Sequence, residues 1–168
     1  MLKIIKVRVS SLVKKITKNL ENDIDYQEYR RFLANVDIDG VSLKKLNVSG
    51  NNETDNSNTF ISVNYNAINS KIEEDKLEVL CKFEVKAINE MDTDNLEKKI
   101  KKPLFSIKFD YCIAYSVESL STFSNEYIEF FIYKNVPINI WPYARELVSS
   151  LTTRMGFSPL ILKPHKSI

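Results

Sequence analysis

Four successive runs between residues 36 and 117 alternate apolar with polar side chains, a period of two that is typical of strands with one buried face. The runs are Val36 to Val48, Phe60 to Ala67, Leu77 to Val85 and Leu104 to Val117. Gly40 inside the first run indicates a bulge or bend. The sequence therefore predicts a four-stranded antiparallel sheet.

The chain has 168 residues, a size that can bury one core but leaves little room for two. Apolar residues make up 43% and charged residues 27%, as in an ordinary globular protein. The N-terminus shows neither a continuous apolar run nor a small-residue cleavage site. We therefore expect one soluble, cytoplasmic domain.

The first twenty residues are basic, with no acidic residue before Glu21. Apolar residues recur there at three- and four-residue spacing, which predicts an amphipathic helix, although the alternation at Ile5, Val7 and Val9 also allows a short strand. A second helix, capped by Asn22 or Asp23, is predicted up to about residue 35. We divide the chain into a basic helical extension, residues 1–35, and a main domain, residues 36–168.

A further helix is predicted near the C-terminus, because Tyr143, Leu147, Leu151 and Met155 are each four residues apart. Pro142 suits the first turn of a helix, and Gly156 suits the position just after its end. The predicted helix runs from Pro142 to Met155. Strands followed by this helix make the fold α+β, with an antiparallel sheet and a long C-terminal helix.

Residue patterns for catalysis are missing from the sequence. The one histidine, His165, has no nucleophile or carboxylate beside it in sequence, and no HExxH, GxSxG, Walker or GxGxxG pattern occurs. Cys81 and Cys112 stand singly in apolar runs and are expected to be buried free thiols. We predict a non-enzymatic protein with no catalytic residue, metal site, cofactor or small-molecule substrate.

The C-terminal third resembles SecB-like export chaperones, in which an apolar–Pro-Tyr-x-Arg-Glu segment opens the main helix and a strip rich in Phe, Pro and Leu follows it. Here the matching residues are Ile140 to Leu147, then Arg154, Gly156-Phe157, Pro159-Leu160 and Leu162. The order of four strands extends the resemblance back to about Val36. It implies an ATP-independent holdase that binds unfolded polypeptide clients and assembles as a homodimer or homotetramer.

A holdase needs exposed apolar grooves rather than catalytic groups, and Met and aromatic side chains suit adaptable surfaces. The candidate client-binding residues are Phe130, Phe131, Trp141, Met155, Phe157 and Leu160. The resemblance assigns Tyr143, Leu147 and Leu151 to an oligomer interface, since family members stack through this helix. Each of these side chains would also suit an ordinary core, and that alternative stays open.

Two departures from the family bear on the choice of partner. Six residues follow Leu162, so we expect the long second helix of the export chaperones to be missing. Family members offer carboxylates on the outer sheet face to the translocation motor SecA, whereas Lys45, Ser49 and Lys108 stand near those positions here. We therefore do not expect the usual docking to SecA. The pattern favours SecB-like relatives with a dedicated client, such as the chaperones of toxin–antitoxin systems.

Two alternatives to a holdase remain from the sequence alone. The basic N-terminal helix could bind nucleic acid or a membrane surface, although its charges are spread around the helix as on a solvated face. The protein could also be an interaction adaptor that keeps the fold without chaperone activity.

Overall fold

The computed structural model describes residues 2–9, 24–51, 59–89 and 103–165. Its strands are β1 (Leu2–Val9), β2 (Val36–Gly50), β3 (Thr59–Glu73), β4 (Lys76–Asn89) and β5 (Phe105–Val117). Its helices are α1 (Tyr26–Ala34), α2 (Asn125–Lys134) and α3 (Val136–Arg154), with a 3₁₀ turn at Leu120–Thr122.

The strands form one sheet in the order β1-β3-β4-β5-β2. Strands β2, β3, β4 and β5 pair antiparallel, and β1 pairs parallel to β3. The predicted α+β fold with an antiparallel sheet and a long C-terminal helix is confirmed. The sheet has five described strands rather than four, because the start of the chain adds one.

Leu2–Val9 is a strand, so the prediction of a helix over these residues is wrong. Ile4, Val7 and Val9 stand in register with Ile61, Val63 and Tyr65, which are all buried. The apolar residues of this segment fit both the three- and four-residue spacing of a helix and the alternation of a strand. Pairing with the edge of β3 selects the strand. The remainder of the predicted helix, residues 10–23, lies outside the described residues.

The second predicted helix is confirmed as α1, but the prediction of Asn22 or Asp23 as its cap is wrong. The N-cap is Asp25, whose carboxylate accepts a hydrogen bond of 2.8 Å from the Gln27 N–H. This bond satisfies one of the free donors at the helix start. The division of the chain at residue 35 stays a prediction.

The core lies between the sheet and the helices. Along β5 the odd-numbered residues from Phe105 to Val117 are buried and face the helices, and the even-numbered ones face the other way. Phe32 of α1 meets Phe131 of α2 at 5.6 Å between ring centroids, and Trp141 of α3 meets Phe83 at 5.9 Å. Aromatic contacts therefore join each helix to its neighbour or to the sheet.

The long helix begins at Val136, six residues before the predicted start at Pro142. Pro137 is the proline in the first turn, where its missing N–H costs nothing, and Pro142 lies inside the helix. Consequently Glu146 lies in the interior of the helix and not in its first turn. Asn135 separates α2 from α3, and its side-chain oxygen accepts a 2.6 Å hydrogen bond from the Tyr29 hydroxyl.

The predicted end of α3 is confirmed, because Gly156 follows the C-cap Met155 with a φ of +84°. The Gly156 N–H donates to the Thr153 carbonyl and the Phe157 N–H donates to the Thr152 carbonyl, each at 3.0 Å. These two bonds form a Schellman motif, which requires a left-handed residue at Gly156. The chain then turns back along α3.

Substituting Gly156→Ala should lower the free energy of unfolding by about 1 kcal/mol, because a Cβ is strained at this φ. Gly40→Ala is the matched control, since a Cβ there meets no atom within 4 Å and its backbone is not left-handed. Urea unfolding monitored by circular dichroism measures both. Equal effects of the two substitutions would contradict this account of the helix end.

Candidate functional site

Strand β2 is the last strand of the described sheet, and it keeps apolar side chains exposed on the helix-facing side. Leu43, Leu46 and Val48 stand opposite Tyr111, Phe109 and Ile107 of β5, which are buried. Residues opposite one another in a pair project from the same face. The apolar inner face therefore continues past β5, while Leu43 and Leu46 are each 42% exposed.

The cover over the inner face stops before β2. Helix α3 packs on β4 and β5, and the segment after it passes on the other flank of α3, where the Trp141 Nε1–H donates 2.6 Å to the Lys163 carbonyl. Trp141 itself contacts Tyr65 of β3. Helix and tail together cover β3, β4 and β5, and within the described ranges no segment covers the helix-facing side of β2.

The flank of α3 nearest β2 forms a wall beside this open strand. Near one end of the wall, the Tyr143 ring lies 6.3 Å from the Tyr111 ring, and Tyr111 pairs with Leu43. At the other end, the Met155 sulfur lies 3.7 Å from the Cβ position of Gly50. Helix α3 therefore runs alongside the boundary between β5 and β2.

We call this surface the β2–α3 trough. Its floor and wall consist of apolar side chains that are partly or largely exposed: Ile38, Leu43, Leu46 and Val48 from β2, and Tyr143, Leu147, Leu151, Met155 and Phe157 from α3 and the segment after it.

Four of the six predicted client-binding residues lie in the core rather than in the trough. Phe130, Phe131, Trp141 and Leu160 are at most 4% exposed. Phe131 packs edge-on against Tyr115, and Phe130 against Tyr29. Their burial favours the core role that the sequence left open.

The other two, Met155 and Phe157, are half-buried at one end of the trough, and Phe157 contacts the Phe105 ring at 5.1 Å. The predicted interface residues Tyr143, Leu147 and Leu151 line its wall, with Tyr143 47% exposed. The structure thus brings five of the predicted residues to one surface.

The trough residues of β2 were missed by the sequence interpretation. Their alternation of apolar and polar residues is that of any strand with one buried face. The order of the strands in the sheet cannot be read from the sequence. The signal that marks them, an apolar face on an uncovered edge strand, exists only once β2 is placed at the edge.

Reactive groups do not gather at the trough. No cluster of histidine, cysteine and carboxylate side chains suited to a metal ion occurs in the described ranges. Cys81 and Cys112 are buried free thiols, as predicted, and burial raises the pKa of Cys81 to about 12. His165 packs against the Trp141 ring at 5.3 Å, and burial lowers its pKa. What the trough offers is apolar surface.

Comparison with known proteins identifies the family to which this chain belongs. The family model for preprotein translocase subunit SecB matches residues 30–166. The chain belongs to the SecB family. Its described helices include none with the length and apolar character required to cross a lipid bilayer.

Curated relatives agree with this assignment over a shorter stretch. The chain is 30% identical over 70 residues to the protein-export protein SecB of Anaplasma phagocytophilum, covering 41% of this chain and 44% of that one. It is 33% identical over 60 residues to SecB of Wolbachia pipientis wMel, covering 36% of each. The matched segment spans less than half the length of these relatives.

A solved structure supports the fold across most of the chain. The Mycobacterium tuberculosis SecB-like chaperone Rv1957, in complex with a ChAD peptide from the HigA1 antitoxin Rv1956, superposes with a TM-score of 0.71 at 13% identity. The superposition covers 83% of this chain and 97% of that one. The architecture described above is therefore a SecB-like fold.

Replacing Leu43 and Leu46 by serine should reduce binding of the apolar dye bis-ANS to the native protein, because the trough loses apolar surface while the core is left intact. The matched control is Ile68→Ser with Ile161→Ser, since these residues are 40% and 62% exposed outside the trough. Dye fluorescence at equal protein concentration measures the effect. A larger loss in the control pair would show that the dye binds elsewhere.

Proposed function

We propose that this chain is a subunit of an ATP-independent holdase that binds extended segments of unfolded polypeptide in the β2–α3 trough. The observation that carries the proposal is the apolar strip of β2, which continues the core face of the sheet and is not covered by any described residue. Membership of the SecB family supports a chaperone role. The trough has the apolar surface that such binding needs, and such binding requires no catalytic group.

The trough should bind weakly and with low selectivity. Burying roughly 300 Å² of apolar surface yields about 7 kcal/mol. Association itself costs about 4–15 kcal/mol, so one trough holds one segment only loosely. Several troughs acting on one client would retain it by avidity, and release would follow when folding competes successfully.

The client is proposed to be a dedicated protein or a narrow set rather than all exported precursors. The SecB-like protein with the matching fold was solved with a peptide of an antitoxin, which makes an antitoxin one candidate client here. An export precursor is the other candidate, given the names of the curated relatives. Either client would be met in the cytoplasm, where we propose that the protein acts.

Self-association is proposed to use the α3 wall of the trough, which leaves the β2 floor of the trough for the client. Tyr143, Leu147 and Leu151 form a half-exposed apolar seam on α3, a surface suited to packing against a second copy. Strand β2 is also an edge of the described sheet, with backbone groups available for pairing. A homodimer or homotetramer would place several troughs on one particle.

Docking to SecA in the usual way is not part of the proposal. Lys45, Ser49 and Lys108 stand at register positions on the outer face of the sheet, since Lys45 pairs with Asp110 and Ser49 with Ser106. Lysines at such positions would repel a basic tail rather than attract it.

The purified protein should suppress aggregation of unfolded citrate synthase at stoichiometric amounts without ATP, because exposed segments of the client enter the trough. Light scattering after dilution from denaturant measures this. The Leu43→Ser, Leu46→Ser variant should suppress less, whereas the Ile68→Ser, Ile161→Ser control should match the wild type. A well-folded protein that suppresses nothing would refute the holdase and favour an adaptor.

Leu147→Glu should lower the oligomer mass, since a charge placed in the α3 seam opposes packing between copies. Light scattering coupled to size-exclusion chromatography measures the mass. Glu146→Lys is the control, because Glu146 is exposed and lies beside the seam on the same helix. An unchanged mass in the Leu147→Glu variant would move the interface away from this seam.

A further inference from the structure

The face of the sheet that points away from the helices carries a set of lysines on three adjacent strands. Lys82 and Lys86 lie on β4, Lys108 on β5 and Lys45 on β2. In β4 and β5 these are even-numbered positions, and the odd-numbered residues beside them are buried in the core. The four lysines therefore share the outer face.

Glu84 lies among these lysines and is already neutralised by them. Its carboxylate is 2.7 Å from the Lys86 ammonium and 3.0 Å from that of Lys108, and it accepts a 3.2 Å hydrogen bond from the Asn64 amide. The bond from Lys86, followed by those from Lys108 and Asn64, lowers the pKa of Glu84 to about 2. Two cations surround one carboxylate, so the group keeps a positive charge.

Lys45 and Lys82 lie on either side of a second carboxylate, that of Asp110, but form no ion pair with it. Both stand opposite Asp110 in the register, one from each neighbouring strand. Neither forms an ion pair with a described residue. Their ammonium groups are exposed and available to an outside anion. We call Lys45, Lys82, Lys86 and Lys108 the outer basic face.

We propose that the outer basic face binds an acidic segment of a partner polypeptide, separately from the trough. The chain as a whole has a net charge of only +2, so the excess of cations over Glu84 and Asp110 is a local feature. Neighbouring strands lie about 4.8 Å apart and residues about 3.3 Å apart along a strand, which spaces neighbouring cations of this face roughly 8–13 Å from one another. Glutamates two and four positions apart in an extended segment lie roughly 7 and 13 Å apart, which brings their carboxylates within reach of these cations.

Nucleic acid fits this face less well than an acidic polypeptide. Proteins that bind single strands combine cations with aromatic stacking surfaces, and Phe60 is the one aromatic residue among the described outer-face positions of β2 to β5. Glu84 and Asp110 also interrupt the cations, which opposes an unbroken row of phosphates. A peptide can place its carboxylates beside the lysines and leave gaps at those points.

Fluorescence anisotropy with a labelled peptide of alternating glutamate and serine tests the proposal. The peptide contains no apolar residue, so it has nothing to bury in the trough. At low ionic strength the wild-type protein should bind it, and added salt should weaken the binding. The Lys45→Gln, Lys82→Gln variant should lose about tenfold in affinity, since each exposed ion pair contributes a few-fold.

The control variant is Arg30→Gln with Lys163→Gln, which removes the same charge from exposed positions on α1 and in the tail. It should retain affinity to within about twofold. The Leu43→Ser, Leu46→Ser variant should also bind the peptide normally, even if it fails as a holdase. Thermal unfolding confirms that each variant is folded.

Three results would overturn the proposal. One is absence of peptide binding by the folded wild type at low salt. Another is an equal loss in the Lys45→Gln, Lys82→Gln variant and its control, which would indicate attraction by net charge alone. The third is tighter binding of a single-stranded oligonucleotide of equal charge, lost in the same lysine variant, which would assign the face to nucleic acid.

Discussion

A helix packed on a sheet covers a limited width, and this limit shapes the whole molecule. An α-helix with its side chains is about 10–12 Å across, whereas strands are spaced about 4.8 Å apart, so one helix covers about two strands. Helix α3 lies over β4 and β5, and the segment after it lies on the β3 side. The antiparallel sheet is wider than this cover, so β2 keeps its apolar face in solvent.

The two faces of the sheet therefore carry different kinds of side chain. On the helix side, alternation in β2 puts apolar residues next to the wall of α3 and produces the trough. On the outer side, the intervening positions of β2, β4 and β5 carry lysines around Glu84 and Asp110. Both surfaces arise from the same period of two, and a slip of one residue in the register of β2 would exchange the apolar and polar side chains of that strand between the two faces.

Much of the fold could be predicted from the sequence, because strands β2 to β5 alternate clearly and Gly156 marks a helix end. The start of α3 could not, since Pro137 and Pro142 both suit a first turn and only packing chooses between them. The prediction for the N-terminal segment was wrong for a related reason. Its pattern allowed helix or strand, and the deciding partner, β3, lies more than fifty residues away in sequence, with Leu2 paired to Thr59.

The candidate site was predicted less well than the fold. Aromatic residues such as Phe131 and Trp141 suit a binding surface and a core equally, and burial decides between the two roles. The residues on α3 were found because a helix repeats its exposed flank every four residues. Those on β2 could not be found, because their exposure depends on which strand ends the sheet.

Trp141 gives the molecule a built-in optical reporter. It is the single tryptophan of the chain, and it lies where α3, the sheet and the C-terminal tail meet, against Tyr65, Phe83 and His165. Its indole N–H holds the tail through the Lys163 carbonyl. Tryptophan emission of the native protein therefore comes from one site, and a displacement of the tail that exposes the indole to water would shift this emission to longer wavelength without any added label.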